Sequence, residues 1–204
     1  SVWIAQRNGR TKDGDDTTDQ GIIKMFGISK RDDKIKALSE LNIVPLSISY
    51  EWETCDYMKA LELYQSRSEK YVKKQGEDLS SILSGITSFK GDVHLTFCPM
   101  ITEQDLMAYD ALPGIEYNRE VASLLDHRIH AGYRLTPNNF IAHDIRFGKH
   151  EFKGGKYTEE QKERFLHHLK KLEKYDVDEP EVLMDIFLGI YSNPVDNCFE
   201  RSHE

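Results

Sequence analysis

The alternation of two hydrophobic periods in the first half of the chain limits its fold more than any other feature. Residues 2–5 (VWIA) form an unbroken apolar run of strand length, while residues 42–50 (NIVPLSISY) and 91–97 (GDVHLTF) alternate as half-buried strands do. Pro45 would remove one ladder donor, which fits a strand start, an edge or a bulge. Between these runs the apolar residues follow a helical period: Ile22, Ile23, Met25 and Phe26 in 21–28, Ile35, Leu38 and Leu41 in 32–41, and Tyr57, Leu61, Tyr64 and Tyr71 in 56–74. A shorter helix is predicted over 77–87. The resulting β-α-β-α-β order predicts an α/β fold, a mixed sheet with flanking crossover helices.

After Pro99 the pattern turns helical. Asn118 is placed to cap a helix carrying Val121, Leu125 and Ile129. Thr158 and Gln161 have capping-box spacing, and Asp178 with Pro180 starts a last helix whose face holds Val182, Leu183, Ile186, Phe187, Ile190 and Tyr191. These two helices are expected to form a hairpin, separated from the preceding helix by a Gly- and Lys-rich loop at 147–156. The domain reading is an α/β region over 1–110 and a helical extension over 111–204.

Composition narrows function. The 204 residues carry 35 acidic and 27 basic side chains, a net charge of -8, which is the wrong sign for a nucleic-acid binder. No apolar run approaches the roughly 20 residues that cross a bilayer. The longest, at 182–191, contains Asp185, so any membrane contact is expected to be peripheral. Cys55, Cys98 and Cys198 form no CxxC pair, which fits a reducing cytoplasm and small apolar core residues. The opening directly on VWIA leads us to expect a piece of a longer polypeptide.

Residues 6–14 (QRNGRTKDG) carry the most chemical information. Arg7, Gly9, Arg10, Thr11, Lys12 and Gly14 set guanidinium forks, an ammonium, a hydroxyl and approachable backbone side by side, as a phosphate requires. The bland alternative is a solvated basic turn, its cations paired with Asp13, Asp15 and Asp16. Other constellations are weaker. His127 and His130 lie three apart with no third metal ligand at a telling spacing, His143 and Asp144 suit a local helix-end contact, and 148–156 lacks the Gly-Lys-Ser/Thr end of a P-loop. No metal site is expected, and the missing Gly-x-Ser-x-Gly argues against an α/β-hydrolase.

The run RTKDG (10–14), directly after an apolar stretch, resembles the third conserved block of the glycerolipid acyltransferase family. NIVPLSI (42–48), about thirty residues on, resembles its fourth block, and GDVHLTFCPMIT (91–102) is similar to a later strand. The run VWIAQRNGRTKDG with VPLSISYE looks close to a bacterial, 1-acyl-sn-glycerol-3-phosphate acyltransferase-like subgroup. The resemblance covers roughly the first 110 residues and implies that these are the C-terminal part of that family's α/β domain.

It further implies transfer of a fatty acyl group from an acyl-carrier-protein or coenzyme A thioester to a hydroxyl of a (lyso)glycerophosphate in phospholipid biosynthesis. The co-substrate is the thioester, with no other cofactor. The partners are the acyl donor, the phosphate-bearing acceptor and a membrane surface, and the location is cytoplasmic, peripheral at the inner face of the cell membrane. Within the resemblance Arg10 grips the substrate phosphate, Lys12 assists with Thr11, Gly9 and Arg7 around it, and Val44 and Pro45 shape the pocket wall. The family's glutamate is replaced by Asn8, or by Arg7 in an ungapped alignment. Its catalytic His-x4-Asp box is absent: none of the eight histidines has Asp five residues later. No catalytic residue is therefore assigned, the box is expected in a preceding segment, and this chain alone is expected to be inactive. The competing reading is a non-catalytic module that binds an anionic headgroup or a protein.

Overall fold

A computed structural model describes residues 2–7, 11–30, 32–68, 71–72 and 75–199. Among the described residues the helices are α1 (Gln20–Phe26), α2 (Lys34–Ser39), α3 (Asp56–Gln65), α4 (Glu77–Thr87), α5 (Glu103–Met107), α6 (Gly114–Ala131), α7 (Pro137–Arg146), α8 (Glu159–Leu169) and α9 (Pro180–Phe199), with strands β1 (Leu46–Tyr50) and β2 (Val93–Phe97). The chain divides into two compact units, one of residues 1–10, 16–48 and 95–133, the other of 11–15, 49–94 and 134–204.

In the first unit short helices are fixed at their starts by side-chain caps. Asp19 accepts from Gly21 N, Asp33 from Lys36 N, and Thr102 with Asp105 forms a capping box. Their apolar faces converge on Ile23, Leu38, Leu106, Tyr117 and Val121. Arg128 on α6 donates to the carbonyls of Pro99 and Met100 and to Asp105 Oδ1 at 2.8 Å. The Thr102 backbone N–H, aided by Arg128, holds the Asp105 carboxyl below the usual carboxylate range.

The second unit is built around α9, which packs chiefly against α7 and α3. Phe140, Ile141, Phe165, Leu183, Phe187 and Tyr191 make its core. Buried Asp144 accepts from Glu151 N, Phe152 N and the Tyr157 hydroxyl, which secures the loop before α8. The Thr158 and Gln161 capping box starts α8 as its spacing predicts, and α4 occupies the expected span.

Several expectations need correction. Among the described residues the fold combines many helices with a two-stranded sheet, where a larger mixed sheet was expected. Residues 2–5 form no strand, and Val2 and Trp3 are exposed, because no strand among the described residues pairs with them. β1 and β2 pair antiparallel, with Cys98 N bonding Pro45 O and Glu51 N bonding Asp92 O, each at 2.9 Å. The two helices expected between them, α3 and α4, are present, and the second strand enters beside the end of the first. β2 is largely exposed rather than half-buried. α3 stops at Gln65, short of the expected 74, and α6 begins at Gly114, leaving Asn118 inside it instead of at its cap. α9 finds its main partner in α7 rather than in a hairpin with α8.

Candidate functional site

The Thr11–Asp15 loop is docked in the second unit on a feature of α9 itself. Pro194 lies inside this helix and has no N–H for the carbonyl four residues back, that of Ile190. Gly14, at φ +77°, lays its backbone against that carbonyl so closely that a Cβ built on it would sit 2.3 Å from the oxygen. One residue along α9, Asn193 Nδ2 donates to Asp13 O at 2.8 Å, while Lys12 is ion-paired with Glu62 on α3. The Gly14 requirement is therefore steric: only a residue without a side chain fits here, and the left-handed backbone favours glycine too.

The positions singled out from the sequence fare differently. Thr11 and Lys12 are half-buried in this docked loop, with the Lys12 ammonium held by Glu62. Arg7 is half-buried, whereas Gly9 and Arg10, like Asn8, lie outside the described residues. Val44 is exposed, and Pro45 is buried immediately before β1 with its carbonyl bonded to Cys98 N. Cys55 and Cys98 are buried, and burial pushes the half-buried Cys198 thiol up to about 11. The two histidines of α6 do not converge: His127 is exposed, while buried His130 contacts Asp16 O through Nε2 at 2.8 Å. His143 pairs with Asp196 at 3.2 Å instead of with Asp144.

A second constellation, in the second unit, has no signature in local spacing. Buried Asp56, the first residue of α3, sits with Oδ2 at 2.6 Å from His168 Nε2 and accepts the Tyr191 hydroxyl at 2.7 Å. Its Oδ1 accepts from Tyr57 N at 2.8 Å, and Glu53 N donates to the Tyr191 oxygen at 3.1 Å. The His168 ring is packed by Trp52 and Tyr57, both at 4.8 Å, and by Phe187. Burial first, and the Asp56 charge second, keep the Tyr191 hydroxyl protonated well above its ordinary range. A carboxylate so held fixes the imidazole's orientation. Nothing in the sequence flags it, because residues 56, 168 and 191 come from three distant helices.

Near this centre an open, mainly apolar groove of about 780 Å³ is lined by Leu166, Leu169, Leu172, Tyr175, Leu183 and Met184, with Lys170 and Glu173 also at its wall. That volume falls in the range of small-ligand clefts. Among the described residues no cluster of three or more potential ligands is arranged to hold a metal ion, and no helix is long and apolar enough to cross a membrane. No protein-family model, curated protein or solved structure matches the chain.

Proposed function

We propose that this chain carries the phosphate-binding part of a glycerolipid acyltransferase, which moves a fatty acyl group from an acyl-carrier-protein or coenzyme A thioester to a hydroxyl of a glycerophosphate. The observation that carries the reading is the order and spacing of RTKDG, NIVPLSI and GDVHLTFCPMIT. The last two overlap β1 and β2, which pair directly, with Pro45 immediately before β1. The docked loop supports it further, since Gly14 and Asp13 are fixed by backbone contacts on α9. That restraint lowers the entropy lost when an anion is gripped.

In this reading Arg10 supplies the bidentate fork for the phosphate, with Thr11 and Gly9 offering a hydroxyl and backbone amide and Arg7 adding charge. Lys12 is a second cation whose position is set by its pairing with Glu62. The substrate hydroxyl attacks the thioester carbonyl, the thiol leaves, and the histidine that takes the proton is not among these 204 residues. The membrane-proximal, cytoplasmic setting belongs to the same proposal. The absence of a His-x4-Asp box from the sequence favours one alternative, a module that binds the same headgroup without catalysis. Calorimetric titration with glycerol 3-phosphate and with glycerol tests the shared claim: heat from the phosphate ester alone supports it, and equal or no binding of the two refutes it.

A further inference from the structure

Within the second unit the Lys12 ammonium is ion-paired with Glu62 on α3, a residue 50 positions away. The partners are unequally enclosed, the Lys12 side chain being 31% exposed and that of Glu62 13%. They are also unequally free to move. Glu62 projects from the second half of α3, which packs on α9, whereas the ammonium of Lys12 rides on a flexible four-carbon stem. The loop backbone has anchors of its own, because Gly14 rests on the Ile190 carbonyl and Asp13 O accepts from Asn193 Nδ2. The ammonium is therefore able to turn outward while the loop stays seated and the carboxylate stays behind.

We propose that Glu62 is a built-in competitor at the anion site: its carboxylate occupies Lys12 in the free protein, and a phosphate must take the ammonium from it. This inference rests on the phosphate-binding reading of residues 7–14 and adds to it a residue that the motif does not contain. Three effects act in the same direction. A ligand breaks an existing ion pair before it gains Lys12 as a partner. Glu62 is then left largely enclosed, and among the described residues no other cation is paired with it. Its negative charge also remains beside the incoming anion and repels it. A purely structural pair makes the contrary demand, since Glu62 would then hold the ammonium in place for the ligand and its removal would weaken binding. The inference holds equally for an acyltransferase and for a module that binds the headgroup without catalysis.

The test is calorimetric titration of the 204-residue protein with glycerol 3-phosphate at low ionic strength, comparing wild type, Glu62→Gln, Lys12→Ala and the double variant. Glutamine matches glutamate in shape and still offers Lys12 a carbonyl oxygen, so the circular dichroism spectrum is expected to stay unchanged. Removing the charge should tighten binding about 3-fold to 10-fold, whereas Lys12→Ala alone should weaken it. The gain should shrink in the Lys12→Ala background, where there is no ammonium to compete for. Wild-type protein that binds, with Glu62→Gln binding equally or more weakly, overturns this inference and leaves the phosphate reading intact. A gain undiminished in the Lys12→Ala background also overturns it, because a change in overall charge then accounts for the effect. Glycerol 3-phosphate that binds none of the four proteins overturns the phosphate reading, and this inference with it.

Discussion

Replacing Gly14 with alanine probes the docking of the Thr11–Asp15 loop through a single methyl group. In a free loop this substitution stabilises a protein by about 0.4–1 kcal/mol, because it restricts the unfolded chain. Here the opposite is expected. The residue holds φ +77°, which costs an L-residue with a Cβ about 1–2 kcal/mol. The methyl would also meet Ile190 O at 2.3 Å and the Pro194 ring at 3.2 Å. Ile190 belongs to α9, packed on α7 and α3, so the loop must give way rather than the helix. Lifting it weakens the Asn193 hydrogen bond to Asp13 O, about 1 kcal/mol, and the Lys12 pair with Glu62, about 0.5 kcal/mol. The expected loss is about 2–4 kcal/mol, measured as a lower urea midpoint by far-ultraviolet circular dichroism. A neutral or stabilising Gly14→Ala would show that the loop does not rest on the helix, and the proposed preorganisation for an anion would fall with it.

Other consequences can be measured on the same protein. Tyr191→Phe removes a hydrogen bond to the Asp56 carboxylate and leaves Glu53 N without this acceptor, so stability should fall by about 2 kcal/mol in urea denaturation. The raised Tyr191 hydroxyl keeps its proton when folded and loses it when unfolded above the ordinary value of 10.0. Its contribution is complete below that pH and declines as pH rises through and beyond it, so the urea midpoint should drop between pH 9 and 11 and drop less in Tyr191→Phe. Asp144→Ala strips partners from Glu151 N, Phe152 N and Tyr157, and should cost about 3 kcal/mol and expose the loop before α8 to limited proteolysis.

What the sequence could disclose follows from how local each signal is. α4 and the start of α8 were readable because period and capping chemistry lie within a few residues. The same period shows that α4 has an apolar face without saying whether that face is turned inward or outward. α3 was read too long because Tyr71 continues the seven-residue spacing of Tyr57 and Tyr64, whereas the helix ends at Gln65. The VWIA run misled because a strand is defined by its partner as much as by its own residues. The Asp56 centre and the loop on α9 join residues more than a hundred positions apart, up to the 180 between Asp13 and Asn193. Pro194 was the one local clue to the second, since a proline within a helix frees the carbonyl four residues before it.

The claim that residues 7–14 grip a phosphate is tested most directly by the dissociation constant of glycerol 3-phosphate for the wild-type chain and for Arg10→Ala. Loss of a bidentate charge-assisted contact should weaken binding by about 10-fold to 100-fold with the melting temperature of the free protein unchanged. An affinity unaltered by Arg10→Ala would contradict the account.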